Sequence, residues 1–257
     1  MAAQSITACS TLLVGDVRWM LLPIPKVAST LLKRLAVIAD GREPFEGAAF
    51  GETKPALAIH QAQNHGLQTL SQLSEADQER WSNDPHALRL AVTRHPGERL
   101  LSFWHDKLHL ADPAYAPLND SVQAARRKDH SEPCRFSDFL SYLGDHWELL
   151  QSDGHLMPQH RFLGQSDLFN LRLDRSQLVK ELPKKLKSFL PAERLQRLNQ
   201  ELKSYDTHCR QRLGKRWEEA YGKEGFALLQ TIYGEDLETF EYSLPRRRTD
   251  KVKPLGA

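Results

Sequence analysis

Two segments of the chain share one pattern, in which an apolar run ends at a polar loop and apolar residues then recur with helical spacing. The first is Trp19–Leu35, WMLLPIPKVASTLLKRL, and the second is Leu88–Leu110, LRLAVTRHPGERLLSFWHDKLHL. Each pattern predicts a buried strand, a turn and a helix. In the second segment Pro96 suits the first helical turn. Repeated units of this kind favour an α/β fold with a parallel sheet.

The loop of the first segment is suited to an anion. A helix N-terminus offers unpaired backbone N–H groups and the positive end of the helix dipole. Lys26 adds a full charge, and Ser29 and Thr30 add hydroxyl donors. The loop lacks the two glycines and the Lys-Ser/Thr pair of a Walker A loop. It therefore predicts a phosphate site of another kind, the simpler alternative being an exposed lysine beside a capped helix.

The second segment places cations and a hydroxyl at the end of its strand. Arg94 follows the strand, and Arg99 and Ser102 lie on the predicted helix. Ligands of open α/β sheets collect at the carboxyl ends of the strands. A guanidinium group and a hydroxyl suit a phosphate. The chain thus predicts two phosphate sites on one sheet edge.

These residues carry a family resemblance. PKVASTLLKR resembles the 5′-phosphosulfate loop, and RHPGERLLSFWHDKL resembles the 3′-phosphate motif, of the Golgi-type carbohydrate sulfotransferases of sulfotransferase family 2, such as the chondroitin and dermatan enzymes. The resemblance implies an α/β, P-loop-like three-layer sandwich with a central, mostly parallel sheet, flanking helices and a helical C-terminal region. It implies in-line transfer of a sulfuryl group from 3′-phosphoadenosine 5′-phosphosulfate to a hydroxyl of a carbohydrate or glycoconjugate acceptor, without a metal.

The resemblance also assigns roles to residues. Lys26 would stabilise the charge that grows on the leaving phosphate, an effect of about 3–4 kcal/mol for one preorganised donor. The residues expected to bind the nucleotide co-substrate are Pro25, Lys26, Val27, Ala28, Ser29, Thr30, Arg94 and Ser102.

A base must take the proton of the acceptor hydroxyl, and histidine titrates near neutrality. His65 is the first candidate and His60 the second, because both follow a strand predicted around Leu57 and Ile59, where related enzymes often place the base. Since the chain has 11 histidines, position rather than residue type selects these two.

On the acceptor side, His146-Trp147 resembles the His-Trp pair of the family, although a packing role is an equally common one for such a pair. The cysteines that relatives carry soon after this pair are absent here, and His95 stands where an acidic residue is common. These departures concern the acceptor site and the turn after Arg94.

No metal is expected. His155 and His160 lack the spacing of a metal-binding helix.

Three cysteines without CxxC spacing, Cys9, Cys134 and Cys209, favour a reducing compartment. The short apolar run near the N-terminus indicates a soluble, cytoplasmic enzyme of bacterial type without an integral membrane segment. The formal net charge of +2 does not indicate a nucleic-acid partner. Composition leaves the oligomeric state open.

We expect one sulfotransferase domain over residues 1–245 and a disordered basic tail over residues 246–257. Two other functions stay open. One is a nucleotide- or glycan-binding protein of the same fold without activity, and the other is a P-loop kinase, which the missing Walker A loop disfavours.

Overall fold

The structure is a computed structural model that describes residues 5–43, 59–61, 65–126, 134–164, 166–212 and 217–245. The predicted basic tail and the predicted strand residue Leu57 lie outside the described residues. Within the described part, no helix is long and apolar enough to cross a membrane.

The described strands form one mixed sheet of four in the order β1-β2-β3-β4. The strands are β1 (Leu12–Val14), β2 (Trp19–Leu22), β3 (Leu88–Thr93) and β4 (Leu171–Asp174). β1 runs antiparallel to β2, whereas β2, β3 and β4 are mutually parallel, with Leu21 opposite Leu90 and Val92 opposite Leu173. The carboxyl ends of the three parallel strands therefore meet at one edge of the sheet.

The described helices flank this sheet and extend beyond it. They are α1 (Ile6–Ser10), α2 (Ser29–Ala39), α3 (Glu75–Asn83), α4 (Pro96–Trp104), α5 (Ala116–Ala125), α6 (Phe136–Asp145), α7 (Leu149–Ser152), α8 (Gln159–Leu163), α9 (Leu178–Leu186), α10 (Ala192–Arg212) and α11 (Lys223–Thr239). A π-helical segment, His105–His109, continues α4. The α/β fold with a mostly parallel sheet, flanking helices and a helical C-terminal region is as predicted.

Side chains alternate between the two faces of the sheet. Trp19 and Leu21 of β2 are fully buried in the main core with α2, α9 and α10, whereas Met20 belongs to a smaller cluster on the other face, beside Leu70 and Trp81. The alternation follows from the period of two in a β-strand. A third cluster unites α4, α6 and α11 around Phe103 and Tyr233.

Local signals decide several boundaries. Pro96 occupies the first turn of α4, as predicted. Ser74 and Asp77 have the spacing of a capping box, and the Ser74 hydroxyl accepts a hydrogen bond from the Asp77 N–H at the start of α3. Ile59 lies in a short 3-10 turn, so the strand predicted there is wrong at this residue. The prolines and the charge run of residues 111–133 predict a surface loop. This stretch instead contains α5, and residues 127–133 lie outside the described residues.

Candidate active site

The loop at residues 23–28 joins β2 to α2 and has an unusual backbone. Lys26 and Ala28 adopt left-handed conformations, with φ of 66° and 56°. Such a conformation costs a residue other than glycine about 1–3 kcal/mol and is concentrated at functional sites. Ala28 is the N-cap of α2 and supplies no side-chain hydrogen bond, so the first N–H groups of the helix are not capped by a side chain. Alternating backbone conformations of this kind form concave anion-binding sites.

Both the side chain and the backbone carbonyl of Lys26 make polar contacts. Its ammonium group lies 2.5 Å from Asp106 Oδ2, and its carbonyl accepts a hydrogen bond from Arg94 Nη1 at 3.1 Å. Only 12% of the side chain is exposed. Burial lowers the pKa of Lys26, and the charge of Asp106 opposes that shift. The structure thus presents a buried lysine whose charge is balanced by one carboxylate.

Arg94 follows directly on β3 and is buried. Its backbone N–H donates to Gln159 Oε1 at 3.0 Å, and its Nε donates to Glu98 Oε2 at 3.1 Å. Glu98 also accepts from Arg175 Nη2 at 2.8 Å, so one carboxylate joins two guanidinium groups. Burial raises the pKa of Glu98, but the two arginine charges outweigh it and the net shift is downward. An anion entering this array would meet two arginines and one carboxylate.

A cavity of about 410 Å³ opens beside this array, at the carboxyl ends of β3 and β4. We call it the strand-end cavity. Arg175 Nε is buried and has no hydrogen-bond partner among the described residues. The residues lining it are Arg94, His95, Glu98, Asp174, Arg175, Ser176, Trp217, Glu218, Tyr242, Ser243 and Pro245. The wall therefore combines two arginines and three carboxylates with aromatic faces.

The aromatic side of the strand-end cavity is held in place by specific contacts. The Tyr242 hydroxyl lies 2.5 Å from Asp174 Oδ2 and 3.0 Å from the Thr93 hydroxyl. The Trp217 ring centroid lies 4.2 Å from that of His95. His95 Nδ1 accepts a hydrogen bond from the Gly97 N–H at 3.1 Å and so caps α4. His95, at the position where an acidic residue is common, thus caps α4 with its ring nitrogen.

Ser102 lies one helical turn after Glu98 on α4, and its side chain is half-buried. Its hydroxyl has no hydrogen-bond partner among the residues that the structure describes. Asp106, the partner of Lys26, lies a further turn along the same helical direction, in the π-helical segment. The predicted nucleotide residues Lys26, Arg94 and Ser102 therefore line adjacent parts of one edge of the protein.

Arg99 has another role than the phosphate contact that the sequence suggested. Its guanidinium donates to three carbonyl oxygens, those of Pro25 at 3.0 Å, Gly154 at 3.0 Å and Met157 at 2.8 Å. The residue is 1% exposed, and burial lowers its pKa. Arg99 therefore fastens the segment around Gly154 to loop 23–28.

The two predicted bases differ in environment. His60 is exposed, and its Nε2 lies 2.8 Å from the Thr30 hydroxyl at the start of α2. His65 is 4% exposed, and its Nδ1 accepts a hydrogen bond from the Leu67 N–H at 3.1 Å. Desolvation and then the charge of Lys33 lower the pKa of each to about 4. Both rings are therefore neutral at physiological pH.

His146 and Trp147 lie at the end of α6. The His146 ring stacks on Tyr142 at a centroid distance of 3.9 Å, and its Nδ1 lies 3.0 Å from the Tyr142 carbonyl. Trp147 is 61% exposed. Among the described residues, no hydrogen bond or ring contact joins this pair to loop 23–28.

His155, whose spacing excludes a metal-binding helix, follows directly on Gly154, the residue whose carbonyl accepts a hydrogen bond from Arg99. His155 Nδ1 is 2.9 Å from the Tyr115 hydroxyl and 3.2 Å from Asp153 Oδ1. Spacing along the chain gave no signal for this group, because Tyr115 is 40 residues away. The described residues contain no group of three His, Cys, Asp or Glu side chains placed to hold a metal ion.

Comparison with known proteins gave one match. A family model described as the sulfotransferase family matches residues 14–243, a range that includes loop 23–28, Arg94 and nearly all of the residues that line the strand-end cavity. No curated protein and no solved structure matched the chain.

Proposed function

The chain belongs to the sulfotransferase family, and from this premise we propose that it moves a sulfuryl group from 3′-phosphoadenosine 5′-phosphosulfate to a hydroxyl of a carbohydrate acceptor. The observation that carries the proposal is the hydrogen bond from Arg94 to the Lys26 carbonyl. It joins a phosphate loop to a second cationic site on the neighbouring strand. A nucleotide with phosphates at both ends requires such a pair of sites.

Loop 23–28 receives the 5′ end of this donor. The uncapped N–H groups of α2 face a phosphate, and Ser29 and Thr30 add hydroxyl donors. Lys26 leaves Asp106 for the bridging oxygen between phosphorus and sulfur and neutralises the charge that grows there as the bond to sulfur breaks. Because the site is largely shielded from water, this interaction is stronger than it would be in solution.

The strand-end cavity receives the other end. Arg94, on the wall of the cavity, and Ser102, one helical turn beyond Glu98, bind the 3′-phosphate, and the guanidinium group of Arg175 contributes a second positive charge to the same site. Trp217 and Tyr242 offer aromatic faces for the purine ring. The cavity volume, about 410 Å³, lies within the range of small-molecule sites.

The acceptor hydroxyl also needs a base, and position in the sequence favours His65 and then His60 for this role. A neutral imidazole near loop 23–28 can take the hydroxyl proton while the oxygen attacks sulfur. Trp147, exposed at the end of α6, offers an apolar ring face of the kind that sugars stack on, and His146 would hydrogen-bond the same acceptor.

The experiment that tests this function follows transfer of labelled sulfate from 3′-phosphoadenosine 5′-phosphosulfate to a panel of unsulfated polysaccharides, including chondroitin and dermatan. We expect label in at least one polysaccharide, and at least a hundredfold loss of the rate in Lys26→Ala. Lys180→Ala is the matched control, because that lysine side chain is 80% exposed on α9. Equal rates in both variants, or no transfer and no donor binding, would contradict the proposal.

A further inference from the structure

The His155 ring contacts two polar side chains in the described part of the protein. Its Nδ1 lies within hydrogen-bond distance of both the Tyr115 hydroxyl and Asp153 Oδ1, and its backbone N–H donates to the same carboxylate at 2.7 Å. Asp153 is therefore fixed to both the backbone and the ring of His155. A base whose ring is oriented by a carboxylate is the recurrent arrangement of enzymes that use histidine to take a proton from a hydroxyl.

The contacts define which ring nitrogen is available. When Nδ1 of His155 carries the proton, it can donate to both the Asp153 carboxylate and the Tyr115 oxygen. The Tyr115 hydroxyl can in turn donate to Asp153. Burial raises the pKa of Asp153, but the hydrogen bonds from His155 and Tyr115 outweigh it and the net shift is downward. Nε2 of His155 then carries the lone pair, and it has no hydrogen-bond partner among the described residues. The side chain is 37% exposed, so this nitrogen is accessible to a substrate.

Two separate sets of contacts link the segment that carries His155 to the proposed donor site. Arg99 bonds to the carbonyl of Gly154, directly before His155, and to the carbonyl of Pro25, directly before Lys26. One guanidinium group therefore spans the two segments. On the other side, the Lys107 ammonium lies 5.1 Å from the centroid of the Tyr115 ring, and Lys107 follows the Asp106 that holds Lys26.

The ring nitrogens of His60 and His65, the two bases predicted from the sequence, are less available to a substrate. His60 has its Nε2 at 2.8 Å from the Thr30 hydroxyl, and His65 is 4% exposed with its Nδ1 occupied by the Leu67 N–H. Neither has a carboxylate bonded to its ring among the described contacts. His155 combines an oriented ring, a partnered Nδ1 and an accessible Nε2.

We propose that His155, oriented by Asp153 and Tyr115, is the catalytic base that takes the proton of the acceptor hydroxyl. The inference rests on the proposed sulfotransferase function and replaces His65 and His60 in this role. The acceptor O–H bond breaks as its proton moves to Nε2, the acceptor oxygen bonds to sulfur, and the bond from sulfur to the phosphate oxygen breaks. The electron pair remains on the phosphate of 3′-phosphoadenosine 5′-phosphate, and the imidazolium releases its proton to solvent.

The test measures release of labelled sulfate from 3′-phosphoadenosine 5′-phosphosulfate to water and its transfer to the same polysaccharide panel. For His155→Ala we expect kcat to fall by about 10²–10⁴-fold with unchanged affinity for 3′-phosphoadenosine 5′-phosphate, and added imidazole should restore part of the rate. Asp153→Asn disfavours the required tautomer, and it should lower kcat without changing donor affinity. His86→Ala is the matched control, since His86 is exposed in the turn before β3, at the opposite edge of the sheet.

The outcomes separate the inference from the function on which it rests. Wild-type transfer that persists in His155→Ala, or a loss that appears in His60→Ala instead, would overturn the role of His155 alone. A lost rate that imidazole does not restore, together with weakened donor binding, would show a structural role and would also overturn it. Donor binding by the wild type without any sulfuryl release or transfer would overturn both proposals.

Discussion

The ammonium group of Lys26 and the carboxylate of Asp106 lie 2.5 Å apart, and the contact joins loop 23–28 to the π-helical segment that follows α4. Segments of π-helix are frequent at functional sites. Asp106 opposes the burial that lowers the pKa of Lys26. The carboxylate therefore favours the charged lysine, and in the proposed function the lysine exchanges this partner for the donor phosphate.

Replacing this carboxylate should change the pH dependence of activity. In Asp106→Asn the pKa of Lys26 falls further, because the opposing charge is lost while the burial stays. The lysine acts as a cation. As the pH is raised, kcat/KM should therefore begin to decline at a lower pH in the variant than in the wild type. The exposed Asp120 on α5 supplies the control variant Asp120→Asn. Superimposable profiles of kcat/KM between pH 6 and 10 for Asp106→Asn and wild type would contradict this role for Asp106.

Arg94→Ala should discriminate between two nucleotides. We expect its affinity for 3′-phosphoadenosine 5′-phosphate to fall by about 10–100-fold, the effect of losing one or two hydrogen bonds to a charged group. Affinity for adenosine 5′-phosphate should fall much less, because that ligand lacks the 3′-phosphate. Calorimetric titration of the variant with each nucleotide measures the difference, and Arg172→Ala, at an exposed position of β4, is the control. Equal losses for the two nucleotides would remove the assignment of Arg94 to the 3′ end.

We expect that the space around Gly97 is too small for any side chain. A Cβ atom at this position of α4 would lie 2.4 Å from Cζ3 of Trp217 and 3.1 Å from Cδ2 of Leu229. Alanine normally stabilises a helix by about 1 kcal/mol relative to glycine, but here it must displace a ring that lines the strand-end cavity. Gly97→Ala should therefore lower both the melting temperature and nucleotide affinity.

The control for this substitution is Gly234→Ala on α11. There the new Cβ meets the end of a flexible glutamine side chain at 3.2 Å, so this variant should be at least as stable as the wild type. A Gly97→Ala protein as stable as the wild type, with the same affinity for 3′-phosphoadenosine 5′-phosphate, would show that Trp217 is not held against this helix.

His65 should contribute to the pH dependence of stability. Its pKa is about 4 in the folded protein, against an ordinary value of 6.5. Between these values the unfolded chain binds the proton more readily, so the free energy of unfolding falls as the pH drops from about 6.5 to 4. Above pH 6.5 this group contributes no slope. His65→Asn keeps an acceptor for the Leu67 N–H and should reduce the fall, as measured by denaturant unfolding at pH 7 and pH 5. An unchanged slope in this variant, matching that of the exposed control His86→Asn, would contradict the assignment.

The local units of the fold are predictable because their signals lie close together in the chain. The spacing of apolar residues predicts β2, β3 and the helices that follow them, and Pro96 marks the start of α4. The helix α5 is missed because Pro113 and Pro117 read as loop residues, whereas in the structure they occupy first turns of helical segments.

The residues of the candidate site can be predicted from the sequence only where they lie close together in one strand–loop–helix segment. Arg94 follows β3 directly and Lys26 lies in the short loop after β2, so their place at the sheet edge can be derived from the sequence. Arg175, Trp217 and Tyr242 reach the same cavity from distant parts of the chain, and no local pattern brings them together. Arg99 carried a signal that was missed, since it lies on the buried face of α4 with Leu100 and Phe103. A charge on that face indicates a structural role.

The most direct test of the sulfotransferase function is a calorimetric titration of the purified protein with 3′-phosphoadenosine 5′-phosphate, with magnesium-ATP as the comparison ligand. The two anion sites joined by Arg94 and the Lys26 carbonyl predict micromolar binding of the bisphosphate and much weaker binding of magnesium-ATP. Preference for magnesium-ATP, or no binding of the bisphosphate, would contradict the proposed donor and with it the assignment of the site.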